Sequence, residues 1–156
     1  MNAVEQALDL DRLSKIAAVV NLFKSKFPNA TADLSPWLIT PENEKFEDPE
    51  SIDIAFHFPR PCVFCCSQSI LMQIRLPTEA QTSLQRADGI ELSGHDCQGM
   101  HWRFSTAEKW EFFGLIVPLP PAEMKLKEFC HGAVEIFFKS SNHLGHDFNY
   151  GDRTFT

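Results

Sequence analysis

The chain has 156 residues, 44% hydrophobic and 22% charged, with a formal net charge of −7. A chain of this size can bury roughly 70% of its unfolded surface in one core, so residues 1–156 read as a single domain, with 1–140 as core and 141–156 as a flexible tail. The acidic balance, with no basic run longer than Lys24-Ser25-Lys26, disfavours nucleic acid and anionic membranes as partners, and no apolar run approaches the ~20 residues of a bilayer span.

Fourteen Phe against one Tyr point to a dry aromatic core. Five Cys is an odd count in a chain large enough to fold without staples, and no basic stretch precedes an apolar leader. Both features suggest free thiols in a reducing cytoplasm.

Residues 4–27 read as one amphipathic helix. Leu13, Ile16, Ala17, Val20, Phe23 and Phe27 make an apolar stripe, acidic residues open the segment, and Lys24 and Lys26 close it before Pro28. Residues 29–51 are irregular, with three prolines and an acidic run. Within them Trp37, Leu38 and Ile39 are too apolar for a free linker and should be pinned to the domain, and a short helical turn fits after Thr40-Pro41.

Strict alternation then begins. Ile52, Ile54, Phe56 and Phe58 share one parity of a strand over 52–58, and Cys62, Phe64, Cys66, Ile70, Met72, Ile74 and Leu76 share one over 62–76. Side chains switch faces at every strand residue, so this period marks strands with one buried face. Thr78 and Gln81 form a capping-box signature for a short helix over 79–87, stopped by Asp88-Gly89.

Three more strands follow over 89–97, 99–106 and 109–117, with Ile90, Leu92, Met100, Trp102, Phe104, Trp110, Phe112 and Ile116 facing inward. Their short turns favour an antiparallel meander. Residues 121–139 form the last helix, with Leu126, Phe129, Cys130, Ala133, Ile136 and Phe137 as its stripe. The order implies an α+β fold: an antiparallel five-stranded sheet with N- and C-terminal amphipathic helices packed on one face.

Chemistry is harder to read. Cys62 and Cys65 have the C-x-x-C spacing of redox or half-zinc sites. Strand parity, however, sends Cys62 and Cys66 inward and Cys65 outward, so the plainer reading is buried apolar filler. His57, His95, Cys97 and His101 share the opposite parity, beside Asp96. That set is compatible in kind with Zn²⁺, but polar groups on a solvated sheet face need no such explanation. No metal or cofactor is expected. His143 and His146 sit in the tail, and carboxylate pairs such as Glu42/Glu44 and Glu47/Asp48 lie in the acidic loop. Nucleophile elbows, phosphate loops and H-E-x-x-H are absent from the sequence.

The last strand is apolar on both parities. Phe113, Leu115 and Val117, joined by Val63 and Leu71, give the second sheet face an apolar area that something should cover. Candidates are Trp37, Leu38 and Ile39, tail residues Phe148 and Phe155, a second subunit, or another partner. The leading expectation is a small soluble cytoplasmic binding or adaptor protein, non-enzymatic. Phe113, Leu115, Val117, Val63 and Leu71 would meet a protein partner or homodimer mate, with His57, His95, His101 and Arg103 as ligand-binding company. The alternative is a small-ligand or metal-binding enzyme with its His/Cys site on the polar sheet face.

Overall fold

A computed structural model describes residues 1–42, 44, 48–77 and 89–139. The expected helix over 79–87 and the tail beyond 139, with His143, His146, Phe148 and Phe155, lie outside the described residues. So does Glu47.

The fold is α+β. Helices α1 (Ala3–Gln6) and α2 (Leu10–Lys26) precede strands β1 (Thr31–Asp33), β2 (Ser51–Cys62), β3 (Ser67–Arg75), β4 (Gly89–Asp96), β5 (Gly99–Ser105) and β6 (Phe112–Gly114). Helix α3 (Pro120–Val134) follows and widens into a π-helical turn, Glu135–Lys139. The sheet is an antiparallel meander in the order β1-β2-β3-β4-β5-β6, six strands rather than five. The extra strand is β1, whose three residues pair with Ala55, Phe56 and His57 of β2.

The alternating residues of β2 to β5 do face a core. Ile52, Ile54, Phe56, Ile70, Met72, Ile74, Ile90, Leu92, Trp102 and Phe104 are fully buried, whereas Met100 and Ile116 are exposed. Both helices cover this face. Phe23 of α2 stacks on Phe56 at 3.8 Å between ring centroids, and Phe129 of α3 meets Phe23 edge-on at 5.1 Å.

The single N-terminal helix is broken. Asp9 adopts an extended conformation and accepts the Arg12 N–H at 2.8 Å, so it caps α2 rather than continuing α1. Gln6 meanwhile donates to the carbonyls of Pro49 and Ser51 at 2.7 and 2.9 Å, anchoring α1 to the start of β2. The buried stripe of α2 is Ile16, Val19 and Phe23; Leu13 and Ala17 face solvent.

Trp37 is pinned, by its indole N–H on Asp53 Oδ2 at 2.7 Å and by paired bonds with Asn2. Leu38 beside it is exposed. After Thr40 the chain turns, Glu44 N–H donating to the Thr40 carbonyl at 2.9 Å.

Strand parity fails around the cysteines. The chain leaves β2 at Cys62 and turns, with Cys66 N–H donating to the Val63 carbonyl at 3.3 Å and Cys66 at φ 51°. A turn does not conserve the alternation of the strands that it joins. Cys65 is therefore buried and Phe64 exposed, the reverse of the extrapolated pattern, and Cys62 and Cys65 are joined by a disulfide. The expectation of diverging, free thiols at this pair is overturned. Cys66, Cys97 and Cys130 are free.

Candidate functional site

Register decides which polar residues are neighbours. Thr31 pairs with His57, His57 with Ser69, and Ser69 with His95, so two of the three expected histidines flank one serine in a cross-strand row. One row along, Ala55, Leu71, Ser93, Arg103 and Phe113 are in register. A bulge between Gly94 and His95 pairs His95 with Met100 and leaves His101 beside that row.

His57, His95 and His101 each have an oxygen partner. His57 bridges Ser69 Oγ (2.8 Å from Nδ1) and Asp33 Oδ2 (3.2 Å from Nε2). His95 Nε2 meets Ser93 Oγ at 2.8 Å, and His101 Nε2 meets Asp96 Oδ2. Arg103 and Arg75 share the Glu91 carboxylate, at 3.5 and 3.4 Å. Among the described residues no group of three His, Cys, Asp or Glu could hold a metal ion, and Cys97 lies exposed after β4. Pairing His57 with a carboxylate and a hydroxyl would let it take a proton from Ser69, the polarisation used to activate a nucleophile. Sequence reading missed the partners Asp33, Ser69 and Ser93 as site members. Asp33 lay in a stretch without periodicity, and the two serines looked like ordinary outward residues.

Burial lowers the pKa of His95, and repulsion from His101 when charged lowers it further. A depressed imidazole means that the unfolded chain binds that proton more readily. The contribution of His95 is therefore fully present above its ordinary value of 6.5 and declines as pH falls below it. The Asp96 carboxyl is also held below its ordinary 3.8, chiefly by the His101 hydrogen bond, and its contribution declines in a separate, more acidic window. Thermal melts between about pH 7 and pH 5 should show Tm falling with acid, and His95→Gln should flatten that slope.

The apolar residues gather at the β6 edge. Strand β6 pairs with β5 only through Phe112, Phe113 and Gly114. Gly114 has φ +152°, and a Cβ there would lie 2.0 Å from the His101 carbonyl oxygen, so the close approach of the two strands requires glycine. Beyond it the chain leaves the ladder. Leu115 is 97% exposed, and Phe113, Ile116, Val117 and Leu119 are each more than 40% exposed. Leu119 N–H then donates to the Phe64 carbonyl at 2.7 Å, joining this segment to the 63–66 turn, where Val63 and Phe64 are also exposed. Leu71 is half-buried in the middle of the sheet, in the row of Phe113. Trp37, Leu38 and Ile39 do not cover the edge: Trp37 is bonded at Asp53, in β2.

The chain belongs to a family described as a domain of unknown function. The match spans residues 4–139 and so takes in the histidine row, the β6 edge and the 63–66 turn. No curated protein and no solved structure matches. No helix among the described residues is long and apolar enough to cross a membrane.

Proposed function

We propose that this member of the family is a binding protein that works through the β6 edge, and that its partner is a second copy of the chain. The observation that carries the reading is Leu115, 97% exposed in a run, residues 112–119, without one charge on a chain of net charge −7. An edge strand offers unpaired N–H and C=O groups, and natural edges are ordinarily blunted with charge, proline inside the strand or a covering element. Here the first ionisable residue after Glu111 is Glu123. Two acidic chains repel over most of their surface, so a charge-free strip is where two copies can approach. A two-fold axis through β6 would pair the edge with itself and bury both sets of Phe113, Leu115 and Val117.

Each Leu taken fully out of water is worth about 1.5–3 kcal/mol, and a two-fold interface counts every substitution twice. Leu115→Asp should weaken association on the order of 100-fold and leave the far-ultraviolet circular dichroism unchanged. Light scattering across a concentration series reads this directly. A wild-type chain that stays monomeric at every concentration, or a Leu115→Asp variant that associates as tightly, would sink the reading.

A further inference from the structure

Strand β2 carries Pro59 and Pro61, which have no N–H to give a ladder. Its register with β3 shifts there: His57 pairs with Ser69 and Cys62 with Ser67, so residues 58–61 stand opposite Gln68 alone. The surplus interrupts the ladder between His57 and Cys62. Between this arm, the end of α2 and the first turns of α3 lies a half-open groove of about 660 Å³, within the range of small-ligand sites. Phe27, Phe58 and Phe64 line it, and Lys26, Arg60 and Lys125 are its charged residues, with no carboxylate among the lining. Lys26 is paired with Glu128 at 2.9 Å, and Lys125 lies over the Phe27 ring. Arg60 is exposed and makes no ion pair among the described residues.

Cys62 also lines this groove. Its disulfide partner Cys65 is fully buried, and the two are held differently. The Cys65 N–H donates to Cys62 Sγ at 3.3 Å, while the Cys65 carbonyl accepts the Trp102 indole N–H at 2.8 Å in the core. Cys62 therefore borders a groove whose charged residues are all basic, and Cys65 lies buried beside it on a fixed backbone. The Cys65 N–H is a donor that a reactive thiolate at Cys62 could keep. We propose that Cys62 and Cys65 form a thiol–disulfide exchange site whose substrate is the disulfide of an anionic, peptide-like molecule seated in this groove. The proposal is independent of the β6 reading.

The reduced protein starts the exchange. The Cys62 thiolate attacks one sulfur of the substrate; a Cys62–substrate bond forms, the substrate S–S bond breaks, and the departing half leaves as a thiolate that takes up the proton Cys62 lost to solvent. Cys65 then attacks Cys62 Sγ, and its proton passes to the second departing thiolate. The substrate disulfide gains two electrons and two protons, and the protein dithiol becomes the disulfide of this structure.

The test uses the full chain carrying Cys66→Ser and Cys97→Ser, reduced and then exposed to oxidised glutathione, with mass spectrometry as the readout. The pair should close without retaining glutathione. Adding Cys65→Ser should trap one glutathione on Cys62, and adding Cys62→Ser should slow trapping on the order of 10-fold or more. Equal trapping by both variants, or a reduced pair that never closes, overturns the site. Peptide mapping of the unsubstituted, reduced chain requires no variant to fold: the Cys62–Cys65 disulfide should form before glutathione accumulates on the free Cys66 or Cys97, and the opposite order overturns the proposal. Oxidised glutathione should also react faster than uncharged hydroxyethyl disulfide, with Arg60→Glu abolishing the preference. A preference that survives Arg60→Glu overturns the assignment of an anionic substrate.

Discussion

Phe23→Ala should be among the most damaging single substitutions in this chain. The Phe23 ring is fully buried and stands where α2, β2 and α3 meet: stacked on Phe56 at 3.8 Å, edge-on to Phe129 at 5.1 Å, and 4.9 Å from Phe27. Removing it takes away transfer free energy and leaves a cavity between three elements that cannot all close on it. Phe→Ala in such sites costs about 3–5 kcal/mol, against a total stability of about 5–15 kcal/mol for a typical domain. Urea denaturation should show the midpoint fall by about a fifth or more, with an unchanged slope if the native state stays compact. Leu13→Ala is the matched control. It removes an apolar residue from the same helix but from a half-exposed position, so its effect should stay within about 0.5 kcal/mol. Equal losses from the two variants would mean that α2 is not docked by the face described.

That comparison also shows what the sequence could and could not reveal. The sheet was legible because one face of each long strand is buried, which forces period two on residues such as Ile52, Ile54 and Phe56 or Ile70, Met72 and Ile74. The α2 stripe was legible only approximately, because Leu13 and Ala17 fit a helical period as well as Val19 does, and only the docking angle chooses among them. Strand β1 had no signal at all: Thr31, Ala32 and Asp33 are a strand because β2 offers them an edge. The break before α2 depends on Gln6 finding carbonyls more than forty residues away, at Pro49 and Ser51.

The candidate sites follow the same logic. Parity placed His57 and His95 on one face, while the intervening Ser69 came from register, which no single strand encodes. At Phe113, Leu115 and Val117 apolarity on both parities was the readable sign, and the structure explains it through Gly114, where the ladder stops. The cysteine pair was misread because parity was carried through a turn. The C-x-x-C spacing itself was the better guide.

Gly94→Ala should disturb both the core and the cysteine turn with one methyl group. Gly94 pairs with Trp102 across β4 and β5, and a Cβ at position 94 would lie 2.2 Å from the indole ring. The ring cannot swing aside, because Trp102 is fully buried and edge-packed on Phe112 at 5.2 Å. It also gives its N–H to the Cys65 carbonyl. Overpacking of this kind costs about 1–3 kcal/mol, and a displaced indole leaves a buried acceptor unpaired for about 1–3 kcal/mol more. Gly99→Ala separates this effect from backbone strain. Gly99 has φ +114° but nothing within 4 Å of its Cβ position, so its substitution should cost about 1–3 kcal/mol from conformation alone and leave Trp102 fluorescence in place. Gly94→Ala should instead lower Tm and shift the tryptophan emission. It should also slow closure of the Cys62 and Cys65 pair, since Cys65 loses the bond that fixes its backbone. If Gly94→Ala slowed closure no more than Gly99→Ala, the indole would not be what positions the buried sulfur.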